Sequence, residues 1–427
     1  MFMRWVVLII LFFGFLINFA DKSVVGLAAG SLMEDLSLSY AQWGIIGSSF
    51  FWIFPVAAVF VGVLTDKVSP KKIIAFMLLA WSLLQFGGYI IGGFATLLLY
   101  RIFLGLAEGG YAPASLRQLF AYFPPAMRAL VTTIFISGST VGAYAVAPLV
   151  VLLLQMVGWR HSFAIMGLVS LVLLVVWVTV VPKKTPELAE LAVKSDFAPK
   201  RKVTWSELYP VLLSRTSIFT LFVTFGFFCL SSWMQIWMPL YFLKVIQVSE
   251  MGMAYATLTV GGTSLIVSLS MATISDRIFK NTQNVRAGRV KVTGIGMLLG
   301  GLFFGSLYFT QSLAWAIIGI TLAYGFSYLI VSTSHIIMCN QLPERTSTIS
   351  GTIVAFQNVA AALCSLVTGF IIQSTGSDNI VQGFQYSFLM ISSIMVVVAI
   401  LFIGFVHPDR KEKKVKLVDM EKAVSSS

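Results

Sequence analysis

The sequence predicts an all-α membrane protein with twelve transmembrane helices in two six-helix halves and both termini cytoplasmic. Three observations lead there. First, 58% of the 427 residues are hydrophobic and only 11% are charged, with a mean hydropathy of +0.91; a soluble domain is nearer a quarter charged. Second, apolar runs of about 20 residues recur along the whole chain, the length that spans a bilayer as a helix. Third, the basic residues are confined to alternate loops, which orients the helices.

The twelve runs are 5–29, 41–64, 73–93, 95–121, 130–156, 161–182, 216–243, 252–274, 291–310, 313–341, 348–373 and 384–406. The first begins like a signal peptide, but it continues past signal-peptide length and carries Asp21 and Lys22, so it reads as an uncleaved span. The longest polar interruption, 183–215, is rich in Pro, Lys and Glu. It reads as a cytoplasmic linker at the membrane surface with a short amphipathic helix. The expected units are therefore a bundle over 1–182, the linker over 183–215, a second bundle over 216–406 and a basic tail over 407–427.

With both termini inside, 24 of the 29 Lys and Arg residues fall on the cytoplasmic side and two, Arg160 and Lys244, fall outside. The net charge of +12 is then a matter of topology and contact with anionic lipids, not nucleic-acid binding. Cys229, Cys339 and Cys364 all lie in apolar runs without CxxC spacing, so free buried thiols are expected. No GxxxxGK[ST] loop, HExxH, Cys/His cluster, GxSxG or TVGYG sequence occurs. Those absences argue against ATP drive, enzymatic chemistry and a potassium filter. No cofactor is expected beyond a proton gradient and membrane potential, with Na⁺ an open alternative as the coupling ion. The absence of an Asn-x-Ser/Thr acceptor fits a protein of the bacterial cytoplasmic membrane, and a monomer is expected.

The halves repeat weakly. GVLTDKVSPKK (62–72) follows the second span and MATISDRIFK (271–280) follows the eighth, which puts Asp66 and Asp276 210 residues apart. Asp66, Lys67, Asp276 and Arg277 sit at cytoplasmic helix ends and are candidate gate residues, with a solvated turn as the bland alternative. Internal repetition of this kind is expected of secondary transporters.

Two acids, Asp21 and Glu108, and three bases, Lys22, Arg101 and Arg117, fall inside spans. A charge near the bilayer centre costs at least ~2.5–3.5 kcal/mol. Arg101 and Glu108 are seven residues apart, about two helical turns, and so share a face. At ~1.5 Å per residue, Asp21 falls between them in depth. If the first and fourth spans touch, Asp21, Lys22, Arg101 and Glu108 form one cluster open to a central cavity. The small residues Gly105, Ala107, Gly109, Gly110, Ala112 and Ala114 allow a neighbouring helix to approach. Arg can grip a carboxylate through two hydrogen bonds and Lys adds a point charge. Acids that neutralise the bases when ionised, and release them when protonated, link proton entry to anion entry. The bland alternative is a pair of structural salt bridges.

Arg117, 16 residues beyond Arg101, reads as a snorkelling or gate charge. Gln235, flanked by Trp233 and Trp237, and Gln357 with Asn358 are either donors to a hydroxylated substrate or helix–helix contacts. His335 is a proton-relay candidate, although a locally hydrogen-bonded ring is the favoured reading. Ser332, Thr333 and Ser334 are equally able to bond their own helix.

Together, the six-and-six spans, the match of Gly62, Asp66, Lys67, Lys71 and Lys72 to a Gly-x-x-x-Asp-basic-x-x-x-basic-basic loop, and RIFLGLAEGG in the fourth span resemble the major facilitator superfamily. NFADKSVVGLAAG, RIFLGLAEGGYAPASLRQLFAYFPPAMRA and SGSTVG resemble, more narrowly, its anion:cation symporter family. That family includes bacterial hexonate and hexarate transporters and vesicular sialic-acid and glutamate carriers. The resemblance implies proton sites at Asp21 and Glu108, anion contacts at Arg101 and Lys22, and a substrate contact at Asn358. Three positions depart from it: Lys22 replaces the usual Arg, Phe54 stands at a Tyr-like position and Ser139 at a Gln-like one. With Gln235 these complete the candidate substrate site, and the departures point to a substrate bulkier or less hydroxylated than a hexonate. The expected function is proton-coupled symport of an organic carboxylate by alternating access. Export of an organic acid or amphipathic compound by antiport is the alternative, and a non-transporting sensor a distant third.

Overall fold

The structure, a computed structural model, describes residues 2–124, 127–182, 205–342, 345–376 and 379–408. Every regular element among them is helical, as hydrocarbon requires of a chain that must satisfy its own backbone groups. Ten of these helices are long and apolar enough to cross a membrane.

The first half contains α1 (Phe2–Leu27), α2 (Ala29–Asp35), α3 (Tyr40–Lys67), α4 (Pro70–Phe86), α5 (Phe94–Glu108), α6 (Tyr111–Tyr122), α7 (Arg128–Thr140) and α8 (Ala147–Val180). The run 95–121 is not one helix: α5 ends at Glu108, a turn occupies Gly109 and Gly110, and α6 follows. Its two parts are 15 and 12 residues long, so neither alone is a full span. Conversely, the runs 130–156 and 161–182 meet in α8. Gly158 interrupts that helix with φ 76° and ψ 168°, a conformation open to glycine because it lacks Cβ. A π-helical turn, Val141–Ala145, joins α7 to α8.

In the second half, α9 (Trp205–Leu212) precedes α10 (Arg215–Ile236), α11 (Met238–Lys244), α12 (Glu250–Thr282), α13 (Val292–Gly305), α14 (Leu313–Ser327), α15 (Ile330–Cys339), α16 (Thr346–Ser374) and α17 (Ile380–Phe405). The amphipathic helix expected in the linker is α9. Leu208 and Val211 bury their side chains against Met338, Ile349 and Ile353, while Tyr209 stays exposed. The rest of the linker, 183–204, and the tail from 409 lie outside the described residues.

Serine caps set several helix starts. Ser39 and Gln42 form a capping box at α3, with Gln42 N donating to Ser39 Oγ at 3.2 Å and Ser39 N donating to Gln42 Oε1 at 2.9 Å. Ser214 and Ser249 cap α10 and α12 by their hydroxyls alone, accepting from Ser217 N and Gly252 N. Packing then fixes the bundles: α3 lies along α5, α4 along α8, α1 along α7, and α13 against α14 and α17.

The halves are joined mainly where α3 crosses α16. Tyr40 N donates to Gln373 Oε1 at 3.0 Å, Trp43 Nε1 to the Ile236 carbonyl at 3.4 Å, and Ser365 Oγ to the Gly44 carbonyl at 3.4 Å. All three bonds sit toward the N-terminal end of α3.

Candidate functional site

Among the described residues, four charged side chains are buried in the first half. Asp21 is 0% exposed, Arg101 1%, Glu108 1% and Lys22 7%. Asp21 and Lys22 come from α1, Arg101 and Glu108 from α5. The two residues of α5 share its buried face, as their spacing predicts, and lie about 10 Å apart along the axis.

Phe50 of α3 brings the two cations to one ring. The Arg101 guanidinium carbon lies 4.8 Å from the Phe50 centroid and Lys22 Nζ lies 5.4 Å from it. Lys22 Nζ is also 4.0 Å from the Phe19 ring and 4.4 Å from the Phe54 ring. Phe54 therefore serves the site by its face, stabilising a desolvated ammonium.

The four groups interact electrostatically: Lys22 with Glu108, Arg101 and Asp21, and Glu108 with Asp21, Lys22 and Arg101. Yet no ion pair within 4.0 Å joins them. Both carboxylate oxygens of Asp21 and of Glu108, together with Nε and Nη1 of Arg101, are buried without a hydrogen-bond partner among the described residues. The bland alternative, a pair of touching salt bridges, is therefore not what the structure contains. Phe19 of α1 and Phe50 and Phe54 of α3 pack against the cations, and the buried carboxylate and guanidinium atoms are left uncommitted. The expectation of a cluster open to the cavity is corrected, because the acids and Arg101 are closed off from solvent.

The small residues of the fourth run do admit a neighbouring helix, and that helix is α3. A Cβ on Gly105 would lie 2.6 Å from the Phe50 carbonyl oxygen, and one on Gly109 would lie 2.4 Å from that of Phe54. The close approach of α3 sets Phe50 and Phe54 against the charged face.

A cavity of about 200 Å³ adjoins this cluster at Phe19 and extends between the halves. Ser139 and Gln235 line it, as does Tyr144 from the π-helical turn; Phe227, Tyr324 and Tyr328 face it from the second half. Ser139 Oγ donates to the Ile136 carbonyl at 2.7 Å. Asn358 uses its Nδ2 to bond the Val354 carbonyl at 2.8 Å within its own helix, and neither it nor Phe54 is among this cavity's lining residues. Trp233 and Trp237 are fully buried. Trp233 packs against Phe304 at 5.1 Å and Phe388 at 5.4 Å, so of that trio only Gln235 reaches the cavity.

The candidate gate residues separate. Asp276 pairs with Arg289 at 2.6 Å, and Arg289 Nη1 also donates to Ser275 Oγ at 2.9 Å. This ties α12 to the π-helical turn Arg286–Lys291 within one half. Lys67 and Arg277 are exposed and Arg117 is half-buried, while the side chain of Asp66 lies outside the described residues. Lys71 donates to the carbonyls of Val178 and Val181. His335 Nδ1 bonds the Val331 carbonyl of its own helix at 2.9 Å, in line with the local reading. The cysteines are free, although Cys339 is only half-buried.

Residues 11–351 and, overlapping them, 283–425 match the sequence pattern described as Major Facilitator Superfamily. The chain belongs to the Major Facilitator Superfamily. A hexuronate transporter of Bacillus subtilis is 26% identical over 407 residues, 94% of each chain. A probable sulfoacetate transporter of Cupriavidus necator is 25% identical over 408 residues, covering 92% of this chain and 91% of the other. Among solved structures, a bacterial homologue of the human lysosomal transporter Spinster, inward-facing and unoccupied, superposes with a TM-score of 0.79 at 16% identity. It covers 96% of this chain and 98% of that one. This superfamily member is a multi-pass membrane transporter and not an enzyme.

Sequence reading missed part of the site that the superfamily fold assembles. Gln85 of α4 accepts a 2.6 Å bond from the Tyr100 hydroxyl, next to Arg101, and Gln85 Nε2 is left buried without a partner among the described residues. Asn18 Nδ2, one turn before Asp21, is in the same condition. A lone Gln in an apolar run and an Asn beside two charges were the available signals. Tyr144, Tyr324 and Tyr328 carried none, because an aromatic residue in an apolar helix reads as packing.

Proposed function

We propose that this transporter carries an organic carboxylate anion together with protons, by alternating access between the bundles 1–182 and 216–406. The observation that supports it best is the buried quartet of Asp21, Lys22, Arg101 and Glu108, with its carboxylate oxygens and two guanidinium nitrogens uncommitted. Two acids and two bases sum to zero when all are ionised. Adding an anion alone would leave net charge in a desolvated site, which is costly. Adding it with a proton on Asp21 or Glu108 keeps the site neutral. Arg101 and Lys22 are the anion contacts in this reading, and the acids are the proton sites.

The names of the relatives agree with an anionic cargo, since hexuronate and sulfoacetate are both small acids. In the proposed topology α5 and α6 form one span, α7 with α8 up to Gly158 forms the next, and α8 beyond Gly158 forms another, giving twelve. Both termini are cytoplasmic, in the cytoplasmic membrane of a bacterium, and the unit is a monomer that touches anionic lipid through its basic loops. The bonds from Tyr40, Trp43 and Ser365 across the halves then close the outer side.

Proteoliposome uptake of a carboxylate panel, under imposed pH and potential gradients, tests the reading. At least one carboxylate should accumulate when the outside is acidic, and uptake of every anion that ignores both gradients ends the proposal. Replacing the pH gradient by a Na⁺ gradient identifies the coupling ion.

A further inference from the structure

Building on the anion-transport reading, we infer that the cargo is a monocarboxylate with an aromatic body. Six aromatic residues line the cavity, Phe19 and Tyr144 from the first half and Phe227, Phe228, Tyr324 and Tyr328 from the second. These rings form a continuous surface. Phe227 lies 5.2 Å from Tyr324 and 5.8 Å from Tyr328, Tyr324 lies 5.6 Å from Tyr328, and Tyr144 reaches across the halves to Tyr324 at 6.5 Å. A planar ring stacks favourably on such a wall. The size also fits, because a cavity of about 150 Å³ with apolar walls holds a benzene ring and this one measures about 200 Å³.

Three hydroxyls of the wall are already engaged within the protein. The Ser139 hydroxyl donates to Ile136 and the Ser268 hydroxyl to Leu265, each within its own helix, and the Ser264 hydroxyl donates to the Thr321 carbonyl. Hydroxyls that already donate to carbonyls offer a ligand acceptor positions only, while Thr140, Ser231 and Gln235 also face the cavity. The tyrosine hydroxyls suffice for one polar substituent.

Charge sets the polarity of the ligand. This cavity is lined by no Asp, Glu, Lys, Arg or His. Its link to the cations is Phe19, whose ring lines the cavity and also lies 4.0 Å from the Lys22 ammonium. The carboxylate is thus drawn to the Lys22 side while the ring faces the second half. A second carboxylate, as in an aldarate, would lie against an uncharged wall.

The test uses the full chain in lipid nanodiscs, with binding of radiolabelled 4-hydroxybenzoate competed by glucuronate, galactarate and decanoate. Binding of 4-hydroxybenzoate about tenfold tighter than of each competitor is expected. Tyr324→Ala should weaken it about tenfold while Tyr324→Phe retains it, since stacking carries the contact. Should Tyr324→Ala fail to fold, Phe228→Ala reports on the same wall. Glucuronate, galactarate or decanoate binding as tightly as 4-hydroxybenzoate overturns the inference. Proton-driven uptake of glucuronate without binding of 4-hydroxybenzoate overturns it and leaves the transport reading standing. If no carboxylate in either assay is bound or moved, both fall.

Discussion

Lys22 places its ammonium 4.4 Å from the centroid of the Phe54 ring. The contact replaces some of the hydration that the cation loses on burial. A desolvated cation–π contact is worth ~2 kcal/mol and an exposed one ~0.5–1. Phe54→Leu preserves apolar bulk but removes the ring. It should therefore weaken anion binding by about two- to thirty-fold, measured as equilibrium binding in nanodiscs. Unchanged affinity would reduce Phe54 to packing.

Glu108→Gln removes a proton site without removing bulk. Proton-driven accumulation should be lost, whereas exchange of labelled for unlabelled anion across the membrane should persist, because exchange needs no net proton movement. Asp21→Asn should behave alike, since both acids balance Lys22 and Arg101. Full accumulation by Glu108→Gln at every external pH takes that residue out of the mechanism.

The Cβ of Gly109→Ala would fall 2.4 Å from the Phe54 carbonyl oxygen, a backbone atom with little room to retreat. Overpacking of this kind costs ~1–3 kcal/mol, and α3 would be pushed off the charged face. Both the melting temperature and uptake should drop. Gly262→Ala, with nothing within 4 Å of the new atom, is the matched control and should be neutral or slightly stabilising. Equal melting temperatures for the two variants would refute the close-packing argument.

Asp35, the last residue of α2, ties it to α8 just past Gly158: its Oδ2 accepts from Arg160 Nη1 at 2.6 Å and from Trp159 Nε1 at 3.1 Å. The ion pair is 36% and 44% exposed on its two sides, so screening limits its value to ~0–1 kcal/mol. Asp35→Asn should lower the melting temperature slightly in low salt and less in high salt. A large, salt-independent loss would assign Asp35 a role beyond this contact.

Much of the site was legible in the chain. Asp21, Lys22, Arg101 and Glu108 stood out because charge in an apolar run is expensive, and the spacing of Arg101 and Glu108 placed them on one face. Gly105 and Gly109 announced a close neighbour. Its identity was not legible: spacing along one helix says that something approaches, not which helix. The neighbour is α3, and Phe50 and Phe54 came with it. The break after Glu108 was equally hidden, because Gly109 and Gly110 sit in a run whose hydropathy is continuous. Asn358 looked like a ligand contact, but its amide found the nearer Val354 carbonyl, a local bond that residue type alone does not reveal.

By itself, then, the sequence determined a helical chain threaded repeatedly through a bilayer and the residues that carry charge within its apolar runs. These follow from the cost of exposing backbone or charge to hydrocarbon, which any single segment feels. Only the tertiary structure decided that aromatic rings, not carboxylates, lie against the two cations, and that Tyr144 meets Tyr324 across the halves. Those outcomes depend on which helix faces cross, a property of pairs of segments distant in the chain.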